Sequence, residues 1–301
     1  MPSALVTGAS TGIGQATTLH LARAGWTVLA GVRSADDGER LAGEAPAGRV
    51  QPLTLDVTDP EQIRLAAAQV SGLDGALGGA SGGAPDGGGT PGGGESSPGR
   101  LDALINNAGI GVGGPLELVD LDDLRRQFDV NVLGQVAVTQ ALLPALRAAR
   151  GRIVFMSSVG GRVTMAFTAP YAASKHAIEA IGDALRVELR SSHVQVALVE
   201  PGSVATPIWD KSRADADRVR IPERLQAEYG HIPEAMDKTL RATAARGVPP
   251  EKVAETIARA LGARRMKSRY VVGNDARAMM LIRGLLPDHV FDRLARRALG
   301  V

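Results

Sequence analysis

Tyr171 and Lys175 stand four residues apart in the stretch Pro170-Tyr-Ala-Ala-Ser-Lys-His176. That spacing is close to one helical turn, so both side chains leave the same face of a helix. A phenol, with a reference pKa of about 10, is a poor acid or base near neutrality. An ammonium beside it favours the phenolate and draws its pKa toward the working range. Such a pair can pass a proton to or from an alcohol oxygen. A Tyr and a Lys also fall at this spacing by chance in a chain of 301 residues, so the reading depends on what accompanies them.

The first accompaniment is at the N-terminus. Ser3-Ala-Leu-Val-Thr7 is an apolar run of the kind a buried parallel strand shows, and Gly8-Ala-Ser-Thr-Gly12-Ile-Gly14 follows at once. Ala16, Leu19 and Ala22 then repeat at helical spacing, with Gly25 as a C-terminal stop. Strand, glycine turn and helix together point to phosphate binding. Gly8 permits a sharp turn; Gly12 and Gly14 let backbone approach a pyrophosphate aimed at the helix N-terminus. The spacing differs from the usual Gly-x-Gly-x2-Gly fingerprint, and an ordinary glycine turn is the competing reading.

Further polar groups close successive apolar runs. Asn106-Asn107-Ala108-Gly109 follow Leu101–Ile105, and Asn131 lies in Asp-Val-Asn-Val-Leu-Gly. Ser157-Ser158 follow Arg152–Met156, and Pro201-Gly202-Ser-Val-Ala-Thr206 follow Val194–Val199. Open parallel sheets gather ligand groups at such C-terminal strand ends. On these motifs, which occur in the family's order with Ser158, Tyr171 and Lys175 at its mutual spacing, the chain resembles the compact, single-domain short-chain dehydrogenase/reductases. The resemblance runs over roughly residues 3 to 275. It implies an α/β Rossmann-type fold: a doubly wound, parallel seven-stranded sheet with helices on both faces.

The coarse pattern agrees. Strands are expected near 3–7, 26–32, 50–56, 102–106, 152–157, 194–199 and 268–272. Helices are expected near 13–24, 59–71, 122–149, 171–191 and 249–262. We read one catalytic domain over 1–275 and an amphipathic extension over 276–301. Residues 72–99 hold 13 glycines with Pro85, Pro91 and Pro98, a composition too poor in apolar surface to offset ordering entropy, so a flexible insertion is expected. A site for a sequence-specific partner is the other reading of that stretch. Residues 203–247 occupy the position of the family's substrate lid. The basic, amphipathic tail suits packing over the cleft or against a second subunit, or lying on a membrane surface.

Composition narrows the classes. The absence of cysteine excludes disulfides, thiol catalysis and Cys-based metal sites, and fits a cytoplasmic address. Five histidines show no ligand-like spacing, so no metal is expected. No apolar run is expected to span a membrane, and the first strand starts too early for a signal peptide. A formal charge of +2 gives no general attraction to nucleic acid.

The resemblance carries roles onto particular residues. Tyr171 would be the general acid in ketone reduction and the base in alcohol oxidation. Lys175 would lower the pKa of Tyr171 and hold the nicotinamide ribose, and Ser158 would hold the substrate oxygen. Asn131 would order a water linking Lys175 to solvent, or serve as a structural Asn joining two strands. Gly8, Thr11, Gly12, Ile13 and Gly14 would surround the pyrophosphate. Asp56 and Val57 would contact adenine, and Asn107 and Gly109 the adenosine ribose and its surroundings. Pro201 and Gly202 would lead the loop in which Val204 and Thr206 meet the carboxamide. Where NAD-preferring relatives carry an Asp, this chain has Val32, followed by Arg33 and Ser34. Arg33 is placed to pair with a 2′-phosphate, so NADP(H) is expected to be favoured over NAD(H). A solvated loop charge, or stacking on adenine, is the alternative for Arg33.

The function implied is an NAD(P)-dependent oxidoreductase interconverting a secondary alcohol and a ketone, or a primary alcohol and an aldehyde, on a lipophilic small molecule. A homodimer or homotetramer is implied as well. A non-catalytic nucleotide sensor or scaffold on the same fold is the alternative, and a sugar-nucleotide epimerase or dehydratase of the extended branch a lesser one.

Overall fold

The computed structural model describes residues 1–77, 99–208 and 220–299. Its seven strands are β1 (Ser3–Thr7), β2 (Thr27–Val32), β3 (Val50–Thr54), β4 (Ala103–Asn106), β5 (Arg152–Met156), β6 (Gln195–Pro201) and β7 (Arg269–Val272). All pair in parallel, in the order β3-β2-β1-β4-β5-β6-β7. The chain winds outward from β1 to β3, crosses back to lay β4 against the other side of β1, and winds outward again. The crevice at that reversal is where such sheets bind ligands.

Alternation along each strand explains why both faces are covered. Ala4 and Val6 of β1 join Val28, Ala30 and Val32 of β2 in one core cluster, while Leu5 and Leu29 join Leu104, Ile153 and Phe155 in the other. The first core is roofed by α1 (Gly12–Arg23) and, later in the chain, by a helix at Pro250–Gly262. The second is roofed by α3 (Pro60–Leu77), by a helix at Gly134–Ala149 and by one at Ala169–Glu188.

Several elements differ from expectation. A helix α2 (Ala35–Gly43) follows β2 unforeseen; only Gly38 and Leu41 are buried in it, too little to make an apolar stripe. Helix α3 continues past Gly72 and Gly75 to Leu77. The rest of the glycine-rich stretch, 78–98, lies outside the described residues. The single helix expected over 122–149 is three pieces: α4 (Leu121–Phe128), a π-turn at Asp129–Leu133, and α5 (Gly134–Ala149). By length and composition Leu121–Ala149 is apolar enough to cross a membrane, which corrects the expectation that no run reaches that size. Here it is a core helix: Val138, Leu142, Ala145 and Leu146 are buried against the sheet.

After β5 comes a 3-10 turn at Val159–Gly161, then α6 (Ala169–Glu188). The lid position holds α7 (Gln226–Tyr229) and α8 (Ile232–Arg246), with 209–219 outside the described residues. Then come α9 (Pro250–Gly262), and after β7 the tail helices α10 (Asn274–Leu285) and α11 (Asp288–Leu299). Helix α11 touches α8, so the tail lies against the lid segment. Arg283 of α10 stacks over the Phe291 ring of α11, 5.3 Å from its centroid.

Candidate active site

The site forms where β1, β4, β5 and β6 end. At the β1 end the chain turns through Gly8 at φ +63°, and a Cβ there would lie 2.9 Å from Ala108 Cα. Only glycine fits both the left-handed backbone and that approach. Gly12, at φ +57°, faces Thr206, whose Cγ2 would be 3.1 Å from an added Cβ. The carboxamide loop expected around Val204 and Thr206 therefore rests on the glycine turn. Thr11 caps the N-terminus of α1 with extended backbone, and the first turn, through Ile13 and Gly14, carries no acid. A glycine cradle at a helix N-terminus free of negative charge fits a pyrophosphate.

Asn107 holds this turn from the β4 side. Its Nδ2 donates to the Thr7 and Gly8 carbonyls at 2.9 and 3.0 Å, while the Asn107 and Ala108 N–H groups donate to Thr7 Oγ1 at 2.9 and 3.0 Å. Its amide donors are thus spent on the turn. Asp56 lies beyond the end of β3, and its Oδ1 accepts from the Thr58 N–H and hydroxyl at 2.9 and 2.7 Å. Burial pushes its carboxyl up, but the Thr58 hydrogen bonds and the charge of Arg33 outweigh it and leave the pKa below the ordinary range. Val57 beside it is buried. Val32 is buried against α2, near Gly38, whereas Arg33 is exposed at the rim.

Ser158 follows β5 and its hydroxyl accepts from the Gly160 N–H at 3.1 Å; a Cβ at Gly160 would lie 3.5 Å from that hydroxyl and 3.2 Å from the Tyr171 ring, so the two side chains meet there. Ser157, its rival by position, turns its buried hydroxyl toward Gly161 and finds no partner among the described residues. Lys175 is 4% exposed; its Nζ donates to the Met156 carbonyl at 2.7 Å and sits 5.7 Å from the Tyr171 ring centroid. Burial pulls Lys175 down to about 8 against the opposing charge of Glu179. For Tyr171 the expected lowering by Lys175 gives way to another balance. Burial raises the phenol, and Ser158 is the group pulling it back.

Asn131, at the centre of the π-turn, accepts from the Ile110 N–H at 2.8 Å and donates to the Ile110 carbonyl at 3.0 Å. It also donates to Ser174 Oγ at 3.1 Å, and Ser174 donates on to the Tyr171 carbonyl at 2.7 Å. The π-turn thus reaches the backbone of the tyrosine, and Gly109 lies between, its position 3.8 Å from Lys175 Nζ for an added Cβ. Two neighbours escape the sequence reading. Gln127 accepts from the Val112 N–H at 2.6 Å, and Gln135 donates to the Ala108 carbonyl at 2.8 Å. Gln127, Asn131 and Gln135, all fully buried, recur every four residues, a polar stripe at helical period that could have been read directly. Pro201 ends β6, Gly202 donates to the Val272 carbonyl at 2.9 Å, and Ser203 N–H donates to Asp275 Oδ2 at 2.7 Å.

Fold and site together define an oxidoreductase that binds a dinucleotide at the C-terminal edge of a parallel sheet. A model of the short chain dehydrogenase family matches residues 2–82 and 95–217. The chain is 32% identical over 299 residues to the NADPH-dependent 3-dehydrocapnine reductase of Ornithobacterium rhinotracheale, covering 98% of this chain and 96% of that one. It is 35% identical over 299 residues to retinol dehydrogenase 5 of Mus musculus, covering 95% and 85%. Among solved structures, a short chain dehydrogenase/reductase from Burkholderia phymatum in complex with NAD superposes with a TM-score of 0.72 at 25% identity, covering 94% and 92%. The chain belongs to the short-chain dehydrogenase family and is an NAD(P)-dependent oxidoreductase of alcohols and carbonyls. The match lapses between 82 and 95, inside the glycine-rich stretch.

Proposed function

We propose that the protein interconverts a secondary alcohol and a ketone, or a primary alcohol and an aldehyde, on a lipophilic substrate, with NADP(H) favoured over NAD(H). The observation that carries the reading is the Ser158–Tyr171–Lys175 grouping at the end of β5. Bound nicotinamide supplies or accepts the hydride. Tyr171 donates its proton to the carbonyl oxygen in reduction and recovers it in oxidation. Ser158 holds the same oxygen as charge develops there. Lys175, a buried side chain one helical turn away, holds the nicotinamide ribose.

Support for the cofactor preference lies at the β2 end. Val32 offers no carboxylate to ribose hydroxyls, and Arg33, exposed at the rim, is placed to meet a phosphate. The reductase relative is named for NADPH, while the Burkholderia structure carries NAD. Leu281, Ile282 and Leu285 are exposed on α10 of the tail, which touches the lid through α11. That apolar surface, and the name of the retinol relative, support a lipophilic substrate. Association through the α4–α5 segment and α6 into a homodimer or homotetramer, and a cytoplasmic site of action, complete the proposal.

Turnover of hydroxysteroids, retinoids, aliphatic ketones and sugars with each nicotinamide cofactor tests it. Oxidation or reduction of a lipophilic member with NADP(H) is expected. Dinucleotide binding without turnover of any alcohol or carbonyl overturns it in favour of a sensor.

A further inference from the structure

One helical turn beyond Lys175 on α6 stands Glu179, 5% exposed, and at the end of β6 Glu200 is 1% exposed. Carboxylates this deep need compensation. It comes from Arg269 of β7, whose Nε donates to Glu179 Oε2 at 2.9 Å and lies 3.1 Å from Glu200 Oε1. That guanidinium is also claimed by Asp183, 2.6 Å from its Nη2, and Asp183 is shared in turn with Arg186. Arg162, from the 3-10 turn after β5, stands 3.5 Å from Glu200 Oε1 and is half exposed. The charged groups facing the pair are therefore Lys175 and Asp183 from α6, Arg162 from that turn, and Arg269 from β7.

Donors fall short of acceptors. Glu179 Oε1 and Glu200 Oε1 are both buried without a hydrogen-bond partner among the described residues. The 3.1 Å approach of Arg269 brings charge to Glu200, but its N–H is directed at Glu179. The two carboxylates crowd one and the same nitrogen, Arg269 Nε, at 2.9 and 3.1 Å. One proton held between them turns two unsatisfied acceptors into a donor and an acceptor. The surroundings are close-packed: a Cβ at Gly161 would lie 3.1 Å from Glu179 Cγ and 3.0 Å from the Lys175 carbonyl oxygen. The carbonyl that receives Lys175 Nζ belongs to Met156, paired in register with Val199, the residue before Glu200.

We propose that Glu179 and Glu200 share a single proton behind Lys175, and that the remaining negative charge, on Glu179, keeps Lys175 an ammonium in its dry site. Glu179 is then a positioning residue acting through Lys175, and Glu200 stores the proton. Burial first, then Glu179 beside it, pushes Glu200 up to about 7 against the pull of Arg162 and Arg269. Glu179 is likewise the influence that holds Lys175 up against burial.

This rests on Lys175 serving the catalytic site, so its test includes readouts that need no turnover. The chain has five lysines, few enough for isotopically labelled lysine to be followed by NMR as pH is varied. Lys175 should titrate near 8 in the wild type. Glu200→Gln should move it little, because Glu179 is the carboxylate that acts on Lys175, and Glu179→Gln should lower it by on the order of one pH unit. The alkaline limb of kcat/KM should move with it, with activity at lower pH retained. In the infrared, a protonated-carboxyl band should be present below about pH 7, fade as pH rises through that value, and be missing from Glu200→Gln. Equal lysine shifts in both variants, no shift in Glu179→Gln, or no such band overturns the proposal. Should Glu179→Gln fail to fold, the wild-type band and its loss in Glu200→Gln still decide it. A normal lysine titration in a protein that turns over no alcohol or carbonyl would sink the functional reading alone.

Discussion

Gln127 and Asn131 donate to one and the same acceptor, the Ile110 carbonyl, at 2.8 and 3.0 Å. The two amides reach a single atom although four residues separate them, and they fix the loop after β4. They differ in one respect: Asn131 continues through Ser174 to the backbone of Tyr171. Each truncation to Ala strands a buried backbone group, at about 1–3 kcal/mol. Both variants should lose denaturant midpoint, but Asn131→Ala should lose far more kcat than Gln127→Ala. Equal kcat losses would detach the Ser174 link from catalysis.

Tyr171→Phe keeps the ring and removes the proton. A kcat loss of roughly 10²–10⁴ is expected, with cofactor affinity close to wild type. Lys175→Ala should weaken cofactor binding as well. A Phe variant retaining half the wild-type rate would remove Tyr171 from the chemistry.

Arg33→Ala should narrow the gap in affinity between NADPH and NADH, chiefly by weakening NADPH. Because the charge of Arg33 also helps hold Asp56 ionised, the apparent pKa of that carboxyl should rise in the variant. Titration of both cofactors against both proteins checks the first effect, and an unchanged preference excludes Arg33 from the site.

Gly8→Ala forces a left-handed residue to carry a side chain against Ala108. A stability loss of about 1–3 kcal/mol is expected from the backbone alone, and dinucleotide binding should fall further than stability does. Calorimetry of folding and of binding separates the two.

Stability should depend on pH with an unusual sign. Glu200 is raised from its ordinary 4.5 to about 7, so between those values the folded state holds a proton that the unfolded state has lost, and stability falls as pH rises. Lys175 is lowered from 10.5 to about 8; there the unfolded state holds the extra proton, and stability rises with pH across that window. Thermal midpoints measured across both windows should dip between them, and Glu200→Gln should flatten the acid-side slope. A slope unchanged in that variant would contradict the assignment.

The strands are legible because a parallel sheet buried on both faces demands unbroken apolar runs such as Ala4-Leu5-Val6 and Ile153-Val154-Phe155. Tyr171, Lys175 and Ser158 are legible because their spacing is set by one helical turn and one strand-to-helix connection. Helix α2 is not, since Leu41 is its one buried apolar side chain and Gly38 acts by what it lacks. Nor is the π-turn: hydropathy registers Asp129–Leu133 as more of the same helix, and only the hydrogen bonds to Ile110 and Ser174 mark the extra residue. The acid pair is hidden for a third reason. Glu179 and Glu200 sit 21 residues apart in sequence, and only the β5–β6 pairing brings the strand end to the helix.

Asp275 has a consequence for anyone recombining these proteins. It is the second residue of α10, yet its carboxylate receives the Ser203 N–H at 2.7 Å, and a Cβ at Gly202 would lie 2.5 Å from it. A chimera spliced at Gly273 to import a foreign tail would discard the anchor of the loop after β6, the one proposed to meet the nicotinamide. A crossover placed after Ala276 would exchange the tail helices and leave that anchor with its native host.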